Sequence, residues 1–223
     1  RGGASNSQIY FVMTDRFANG DTSNDEAGLS GVSAVTGYDP TDIGYFHGGD
    51  LKGLTSKLDY IQGLGFNSIW ITPPVKQRYV QGDSAAYHGY WGLDFTTIDP
   101  HLGTEEDFKN FVSEAHKRGI KVIVDIVVNH TADIIKYKGD VYSYSDLASY
   151  PYKDCSGKKF DVTKYVGKTS FPKLCAAKSF PVQPTVSDKN KNVKAPAVLK
   201  DITNYHNRGD STFQGESSTF GDF

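Results

Sequence analysis

The sequence contains 223 residues, of which 38% are hydrophobic and 13% aromatic, so the chain is long enough to bury a sizeable core as one domain with an excursion. Lys and Arg number 24 against 26 Asp and Glu, a formal net charge of -2, which argues against a nucleic-acid partner. No apolar run approaches the roughly 20 residues that cross a bilayer, and no signal-type segment opens the sequence. We therefore expect a folded protein with a neutral or small ligand and no membrane partner.

The first 130 residues alternate strand and helix signals. An apolar and aromatic run predicts the first strand at Gln8–Met13, and a second strand is predicted at Asn67–Thr72. Between them, leucine and isoleucine recur at helical spacing from Asp50, which is placed to cap a helix, to Gly65, which is placed to end it.

The clearest predicted helix runs from Thr104, a capping residue followed by three acidic residues, to Gly119, and one of its faces is apolar. The third strand is predicted at Lys121–Val128, where apolar residues at both parities indicate a strand covered on both faces. Strands that alternate with helices predict βαβ units and a parallel sheet, either a (β/α)8 barrel or an open doubly wound sheet.

After about residue 131 the periodicity fades, which predicts an inserted, irregular, β-rich subdomain with weak strand candidates at Lys159–Val162 and Ala197–Ile202. Cys155 and Cys175 lie in this segment, and a disulfide between them is favoured over two free thiols. Closing a loop of about 20 residues would stabilise the fold by roughly 3 kcal/mol in the chain-entropy model. The bond would also place the protein outside a reducing cytosol, so we expect a secreted protein.

Asp125 is a carboxylate inside the third predicted strand, where charges are rare. It either forms an ion pair within the core or belongs to a functional site. In both candidate architectures function gathers at the carboxyl ends of strands, where Asn129 and His130 follow.

Two earlier loops carry further candidate residues. The loop after the first strand contains Asn19, Asp21, Asn24 and Asp25, with Gly48–Asp50 downstream. Their oxygen atoms suit calcium, although the spacing is not that of an EF-hand and Asx-turns offer an alternative explanation.

The loop after the second strand contains Tyr87, His88, Tyr90 and Trp91 within five residues. Flat aromatic faces and an imidazole suit a sugar, but dense aromatic residues are equally typical of a core. Because two successive loops each bring a histidine, with Asp125 between them in the sequence, we favour a site that binds sugar.

Four motifs then identify a resemblance: DIVVNH at 125–130, AYHGYW at 86–91, TDRFANGD at 14–21 and HGGDLKGL at 47–54. In this order and spacing they resemble the alpha-amylase family, family 13 of the glycoside hydrolases, especially bacterial alpha-amylases and cyclodextrin glucanotransferases. The resemblance covers residues 8–132 well. It implies the first part of a (β/α)8 (TIM) barrel, with residues 1–130 as its first three β/α units (domain A) and residues 131–223 as an inserted domain (domain B) that ends before the fourth strand.

The resemblance also implies roles. Asp125 matches a supporting carboxylate that is not the nucleophile, His88 and His130 match a pair that hydrogen-bonds the sugar, and Tyr90 matches a ring stacked beneath it. Asn129 matches a calcium ligand between barrel and inserted domain. A second calcium site would be formed by Asn19, Asp21, Asn24, Asp25, the Gly48 carbonyl and Asp50.

One departure from the family concerns the two carboxyl groups that a retaining glycosidase needs. No GFRxD-like nucleophile motif precedes Phe223. We therefore expect part of an alpha-amylase-like enzyme that cleaves α-1,4 bonds of starch and maltooligosaccharides with retention, with its nucleophile and acid/base on a missing second half, supplied by a second polypeptide that completes the barrel. The alternatives are a transglycosylase, a non-catalytic carbohydrate-binding protein on the same fold, and a calcium-stabilised surface protein.

Overall fold

The computed structural model of the protein describes residues 6–140 and 143–209. The chain forms two compact units that divide between Val128 and Asn129. The predicted assignment of residues 1–130 and 131–223 to a barrel domain and an inserted domain stays a prediction. In chain order the strands and helices are β1 (Ile9–Val12), α1 (Ser33–Thr36), α2 (Leu51–Ser56), α3 (Leu58–Gly63), β2 (Ser68–Ile71), β3 (Val75–Gln77), β4 (Val80–Gln81), β5 (Ser84–Ala85), β6 (Gly92–Ile98), α4 (Glu105–Lys117), β7 (Lys121–Val124), β8 (Lys136–Tyr137) and β9 (Pro184–Thr185).

The first unit is built on a parallel sheet in the order β1-β2-β7, which confirms the three predicted strands and their direction. Phe11, Trp70 and Ile123 share one row across the sheet and are partly exposed, at 52%, 39% and 39%. Within the described part of the chain the three strands form an open sheet and no closed barrel.

The opposite face of the sheet packs against the helices. Leu54 and Leu58 of α2 and α3, Phe111 of α4 and Ile69 and Ile71 of β2 are fully buried in one cluster. This burial is the main stabilising term, about 1.5–3 kcal/mol for each large apolar side chain.

The helix α4 confirms the strongest local prediction. Thr104 accepts a hydrogen bond from the Asp107 amide at 3.1 Å, and the Asp107 carboxylate accepts one from the Thr104 amide at 2.9 Å. This capping box satisfies two amides that a helix start leaves unpaired.

The single helix predicted between Asp50 and Gly65 is two short helices, with the break at Lys57. Just before the break, the Thr55 hydroxyl donates to the Leu51 carbonyl at 2.6 Å and the Ser56 hydroxyl donates to the Gly53 carbonyl at 2.7 Å. Such bonds compete with the helical pattern, which explains why the periodicity alone overestimated the helix length.

Strand β7 ends at Val124, four residues earlier than predicted. Its neighbour β2 is followed by Thr72 and two prolines, and proline has no amide to donate to a ladder. The last ladder bond therefore runs from the Asp125 amide to the Ile71 carbonyl, at 3.1 Å. The expectation that this stretch is covered on both faces was wrong for the described residues, since Ile126 and Val128 are 72% and 76% exposed.

The segment between β2 and α4, here called the excursion, contains short strands that were not predicted from the sequence. Strands β3 and β6 pair antiparallel there, with two irregularities in register, and β4 pairs with β5 in a second short ladder. The loop with Tyr87, His88 and Tyr90 lies between β5 and β6, so it is anchored by strand pairs on both sides.

The second unit is irregular, as predicted, but the strand candidates in it were wrong. Lys159 forms one isolated bridge with Lys153, and a 3-10 helix begins at Val162. Residues Ala197–Lys200 also form a 3-10 helix, which begins after Pro196, a residue whose fixed φ suits a helix start. Because β8 and β9 have two residues each, the description as β-rich is not supported in the described range.

The predicted disulfide is present between Cys155 and Cys175, whose Cα atoms lie 5.1 Å apart. It closes a segment in which the described residues have little regular structure. The covalent link therefore contributes stability that secondary structure does not provide there. Across the described ranges, none of the helices combines the length and the apolar character needed to span a membrane.

Candidate functional site

Asp125 lies one residue beyond the end of β7, at the carboxyl edge of the parallel sheet. Its amide completes the ladder with β2, which fixes the backbone, and its side chain is half-buried. The Tyr90 hydroxyl donates a hydrogen bond of 2.7 Å to Asp125 Oδ2. A residue from the excursion and a residue from the sheet edge are thereby brought into direct contact.

The Tyr90 hydroxyl is held in its protonated, donating form. Burial, together with the adjacent Asp125 carboxylate, raises the pKa of Tyr90 to about 12. One oxygen of Asp125 thus receives a fixed donor, while its carboxylate is otherwise available to a ligand group at this edge.

His88 connects Tyr90 to the other aromatic residues of its loop. Its ring stacks on the Tyr90 ring with centroids 5.8 Å apart, and it meets Trp91 edge to face at 4.7 Å. The His88 Nδ1 atom accepts a hydrogen bond from the Tyr90 amide at 3.0 Å, so Nε2 carries the proton of the neutral ring. The structure therefore brings together four predicted site residues: His88, Tyr90, Trp91 and Asp125.

Arg16 anchors this loop, although the sequence pattern assigned it no role. Its guanidinium carbon lies 3.9 Å from the centroid of the Tyr87 ring, and its Nε pairs with the buried Asp15 carboxylate at 2.9 Å. It also donates to the carbonyls of Ile43 and Tyr45, at 2.8 and 2.7 Å. The signal that could have revealed it is the Asp-Arg pair directly after a strand, since a buried charge needs its partner close by.

The surroundings of His88 favour its neutral form. Burial, and then the positive charge of Arg16, lower the pKa of His88 from its ordinary value near 6.5. A neutral imidazole can donate from one nitrogen and accept at the other, which suits a sugar hydroxyl. Because the unfolded state takes up the proton first as pH falls, His88 makes the free energy of unfolding decrease below about pH 6.5.

We expect an NMR titration to give His88 a midpoint below 6.5, and the substitution Arg16→Gln to move that midpoint part of the way upward, because burial remains. The control Arg118→Gln removes a surface cation that pairs with Asp59 and Glu114, and should leave the midpoint unchanged. An unchanged midpoint in Arg16→Gln would show that the charge of Arg16 does not act on His88.

Two other predicted residues, Asn129 and His130, lie in the second compact unit. Asn129 is exposed and His130 is half-buried. Their predicted roles, as a calcium ligand and a sugar-binding residue, stay predictions.

The predicted calcium loop shows a partial fit to a cation. Asn19 Nδ2 donates to Asp25 Oδ1 at 2.8 Å, and Asn24 Nδ2 donates to Asp50 Oδ2 at 3.2 Å. Asn24 Oδ1 is buried and has no hydrogen-bond partner among the described residues, which is the state of an oxygen that a cation could satisfy.

Gly48 closes the same cluster. Its φ of +90° is strained for any residue with a side chain, and a Cβ atom there would lie 2.6 Å from both Asn19 Nδ2 and Asp25 Oδ1. The backbone at Gly48 thus lies close to the side chains of the cluster, with no room for a Cβ atom.

Asp21 departs from the predicted set. Its carboxylate pairs with Lys52 at 2.5 Å and with the Ser23 hydroxyl, and the hydrogen bond from Lys52 lowers the pKa of Asp21 to about 2. Within residues 6–140 and 143–209, no three His, Cys, Asp or Glu side chains are grouped as metal ligands. The Asn24 amide oxygen and the buried carboxylates of Asp25 and Asp50 are ligand types that a hard cation takes, whereas Asp21 is directed to Lys52.

A family model and several curated proteins match this chain. The family model of the alpha-amylase catalytic domain matches residues 9–219. An alpha-amylase from Streptomyces lividans is 52% identical over 200 residues, which cover 87% of this chain and 22% of that protein. A cyclomaltodextrin glucanotransferase from Klebsiella oxytoca is 43% identical over 129 residues, which cover 55% of this chain and 19% of that protein.

Among solved structures, a cyclomaltodextrin glucanotransferase with a three-domain ABC distribution has a TM-score of 0.52 and 42% sequence identity. The match covers 69% of this chain and 30% of that one. The chain therefore spans about a fifth of the length of the curated relatives it matches and under a third of this solved structure.

Proposed function

The chain belongs to the alpha-amylase catalytic-domain family, and from that premise we propose that it supplies part of the substrate cleft of an enzyme that cleaves α-1,4-glucosidic bonds of starch and maltooligosaccharides. The observation that carries the proposal is the contact of the Tyr90 hydroxyl with Asp125 at the end of β7, beside the stacked ring of His88. This contact places a carboxylate, an imidazole and a flat ring at one edge, where a sugar needs charge, hydrogen bonds and an apolar face.

In the proposed reaction the bond is hydrolysed with retention through a glycosyl-enzyme intermediate. Such a reaction needs a nucleophile and an acid/base whose carboxyl groups lie about 5–5.5 Å apart. Asp125 has the supporting role: its charge orients the sugar and stabilises the positive charge that develops on it. Tyr90 holds Asp125 in place through its hydroxyl, and neutral His88 is available to sugar hydroxyls.

The nucleophile and the acid/base are proposed to lie outside residues 1–223, because the sequence has no GFRxD-like motif. The second polypeptide that would supply them stays a prediction. The same residues could equally lie in a longer form of this chain, since the curated relatives extend well beyond the matched part.

Transglycosylation is the second candidate reaction, favoured by the similarity to cyclomaltodextrin glucanotransferases. The two reactions differ in whether water or a sugar accepts the glycosyl group. A third candidate, non-catalytic carbohydrate binding, would need no carboxylate fixed as Asp125 is by Tyr90.

Two assays separate these functions. The full-length protein should hydrolyse maltoheptaose to shorter linear sugars, detected by chromatography. Cyclic products would favour the transglycosylase. Retention on a starch column without turnover of maltoheptaose would contradict both reactions and favour a binding protein.

Calcium is the proposed cofactor, supported by the buried, unpartnered Asn24 oxygen and the close approach of Gly48. Asn19, Asn24, Asp25, Asp50 and the Gly48 carbonyl would hold the ion, with Asp21 joining it only if its carboxylate leaves Lys52. A bound calcium ion would supply charge to neutralise buried carboxylates and would thereby stabilise the loop.

Removal of calcium by a chelator should lower the melting temperature of the full-length protein. A ligand present at about 100 times its dissociation constant stabilises by about 2.7 kcal/mol, which corresponds to roughly 5–10 °C for a domain of this size. Calcium added in excess should restore the melting temperature, whereas magnesium, which demands a smaller octahedral site, should not. Equal melting temperatures with and without chelator would remove the case for calcium.

Secretion is proposed as the localisation, and its support is the bond between Cys155 and Cys175. Such bonds persist in oxidising compartments and are rare in the cytosol.

A further inference from the structure

The second unit contains a strongly basic segment in an otherwise acidic chain. Residues 153–178, here called the basic lobe, contain seven lysines and two aspartates, a net charge of +5. Because the whole chain has a formal charge of -2, the remaining residues carry -7. A charge separation of this size creates a positive electrostatic potential around the basic lobe, although the net charge of the whole chain is negative.

The fold gathers these lysines. Lys153 forms a β-bridge with Lys159, and its amide donates to the carbonyl of Ser179, the neighbour of Lys178, at 3.1 Å. The Cys155 amide donates to the Lys173 carbonyl at 3.0 Å, beside the disulfide. The backbones of Lys153, Lys159 and Lys173, and of Ser179 next to Lys178, are thus held together around the disulfide.

The charges in the lobe are not neutralised by its own carboxylates. All seven lysines are exposed, and none forms an ion pair within 4.0 Å with a carboxylate of the described residues. Asp154 accepts from the Ser156 hydroxyl and amide, and Asp161 accepts from the Thr163 hydroxyl and amide. The like charges therefore repel one another, and an external anion would relieve that repulsion.

Aromatic rings lie among the lysines. Phe160, Tyr165 and Phe171 form a cluster with centroids 5.4–5.7 Å apart, and Lys168 Nζ lies 5.5 Å from the Tyr165 centroid. Beside it is an open concavity of about 570 Å³, lined mainly by apolar side chains and by Lys159 and Asp161. An apolar floor with cations at its edge suits a sugar ring that carries an acidic group.

We infer that the basic lobe binds an anionic polysaccharide, meaning a sugar polymer with carboxylate or phosphate groups. The residues involved are different from those of the cleft proposed above. This inference goes beyond the hydrolysis of neutral glucans. The alternative polyanion is nucleic acid, but the lobe contains no arginine, the side chain that recognises phosphodiesters best, and the net charge of -7 elsewhere opposes a densely charged duplex. Apart from the adjacent pair Lys158 and Lys159, consecutive lysines are four or five residues apart, a spacing that matches a polymer with sparser charge.

The test uses the full-length protein and three immobilised probes: polygalacturonate, neutral amylose and single-stranded DNA. The lobe variant carries Lys159→Gln, Lys164→Gln, Lys168→Gln and Lys173→Gln. The matched control carries the same number of changes at exposed lysines elsewhere, at Lys57, Lys76, Lys121 and Lys189, so both variants lose four positive charges. Equal melting temperatures would establish that both variants are folded.

At about 50 mM salt the unchanged protein should bind polygalacturonate, and the lobe variant should bind it at least about tenfold more weakly, while the control changes by about twofold or less. Binding should disappear at about 500 mM salt, because it depends on the release of counterions. Equal losses in both variants, no binding at low salt, or tighter binding to DNA than to polygalacturonate would overturn the inference. Turnover of maltoheptaose should be the same in all three proteins, so the proposed function is tested separately.

Discussion

Replacement of Asp125 by alanine should reduce turnover of maltoheptaose by the full-length enzyme about 10³-fold or more, while the melting temperature changes little. Removal of one preorganised charge aimed at a developing transition-state charge typically costs about 10²–10³ in rate, and Asp125 also orients its neighbours. The fold should tolerate the change because Asp125 is half-buried and loses one side-chain hydrogen bond, from Tyr90, a cost of about 1 kcal/mol.

Tyr90→Phe is the matched control for this prediction. It removes the same hydrogen bond but keeps the Asp125 carboxylate and the stacked ring, so its effect on turnover should be much smaller. Unchanged turnover in Asp125→Ala would contradict the proposed role of Asp125 as a supporting carboxylate. Equal losses in both variants would instead show that the hydrogen bond, and not the charge, is what matters.

Local signals predicted the elements whose causes are local. The helix from Glu105 to Lys117 is capped by Thr104, as predicted, because its capping box lies within four consecutive residues. Helix α2 begins after Asp50 for a similar reason. The length of β7 depends instead on where β2 stops pairing, at Thr72 and two prolines that are some 50 residues earlier in the sequence.

Elements without local periodicity were missed or predicted wrongly. Strand β6 pairs with β3 through an irregular register, so neither shows the regular alternation of a strand. The segments 159–162 and 197–202 contain β-branched and apolar residues but form no strand. A 3-10 helix begins at Val162, after the Asp161 cap, and another begins at Ala197, after Pro196.

The candidate site was predictable as a set of residue types and less so as a network. His88, Tyr90 and Asp125 belong to motifs visible in the sequence, and the structure places them in contact. The contact of Arg16 with Tyr87 joins positions 71 residues apart, which no local pattern encodes. The ion pair of Lys52 with Asp21 was missed for the same reason, because it joins the second residue of α2 to a loop 31 residues earlier in the chain.

Replacement of Asp50 by alanine should produce the largest loss of stability among the changes considered. The Asp50 side chain is fully buried and accepts four hydrogen bonds, from the amides of Gly20, Asp21 and Gly53 and from Asn24 Nδ2, at 3.1, 2.8, 2.6 and 3.2 Å. An unsatisfied buried donor costs about 1–3 kcal/mol, and the four losses are not additive, so we expect at least about 3 kcal/mol and a fall in melting temperature of roughly 10 °C.

The conservative variant Asp50→Asn keeps one acceptor oxygen, so its loss should be intermediate. Asp83→Ala, at an exposed position, should change stability by no more than about 0.5 kcal/mol. The decisive measurement is the melting temperature of Asp50→Ala in the presence of a chelator, since Asp50 is also a proposed calcium ligand. A loss that persists without calcium comes from the four hydrogen bonds, because the metal no longer contributes to either protein. If the loss of melting temperature disappears in the presence of the chelator, Asp50 stabilises the protein only by binding the ion. The loop would then be stabilised by calcium and not by the four hydrogen bonds to Asp50.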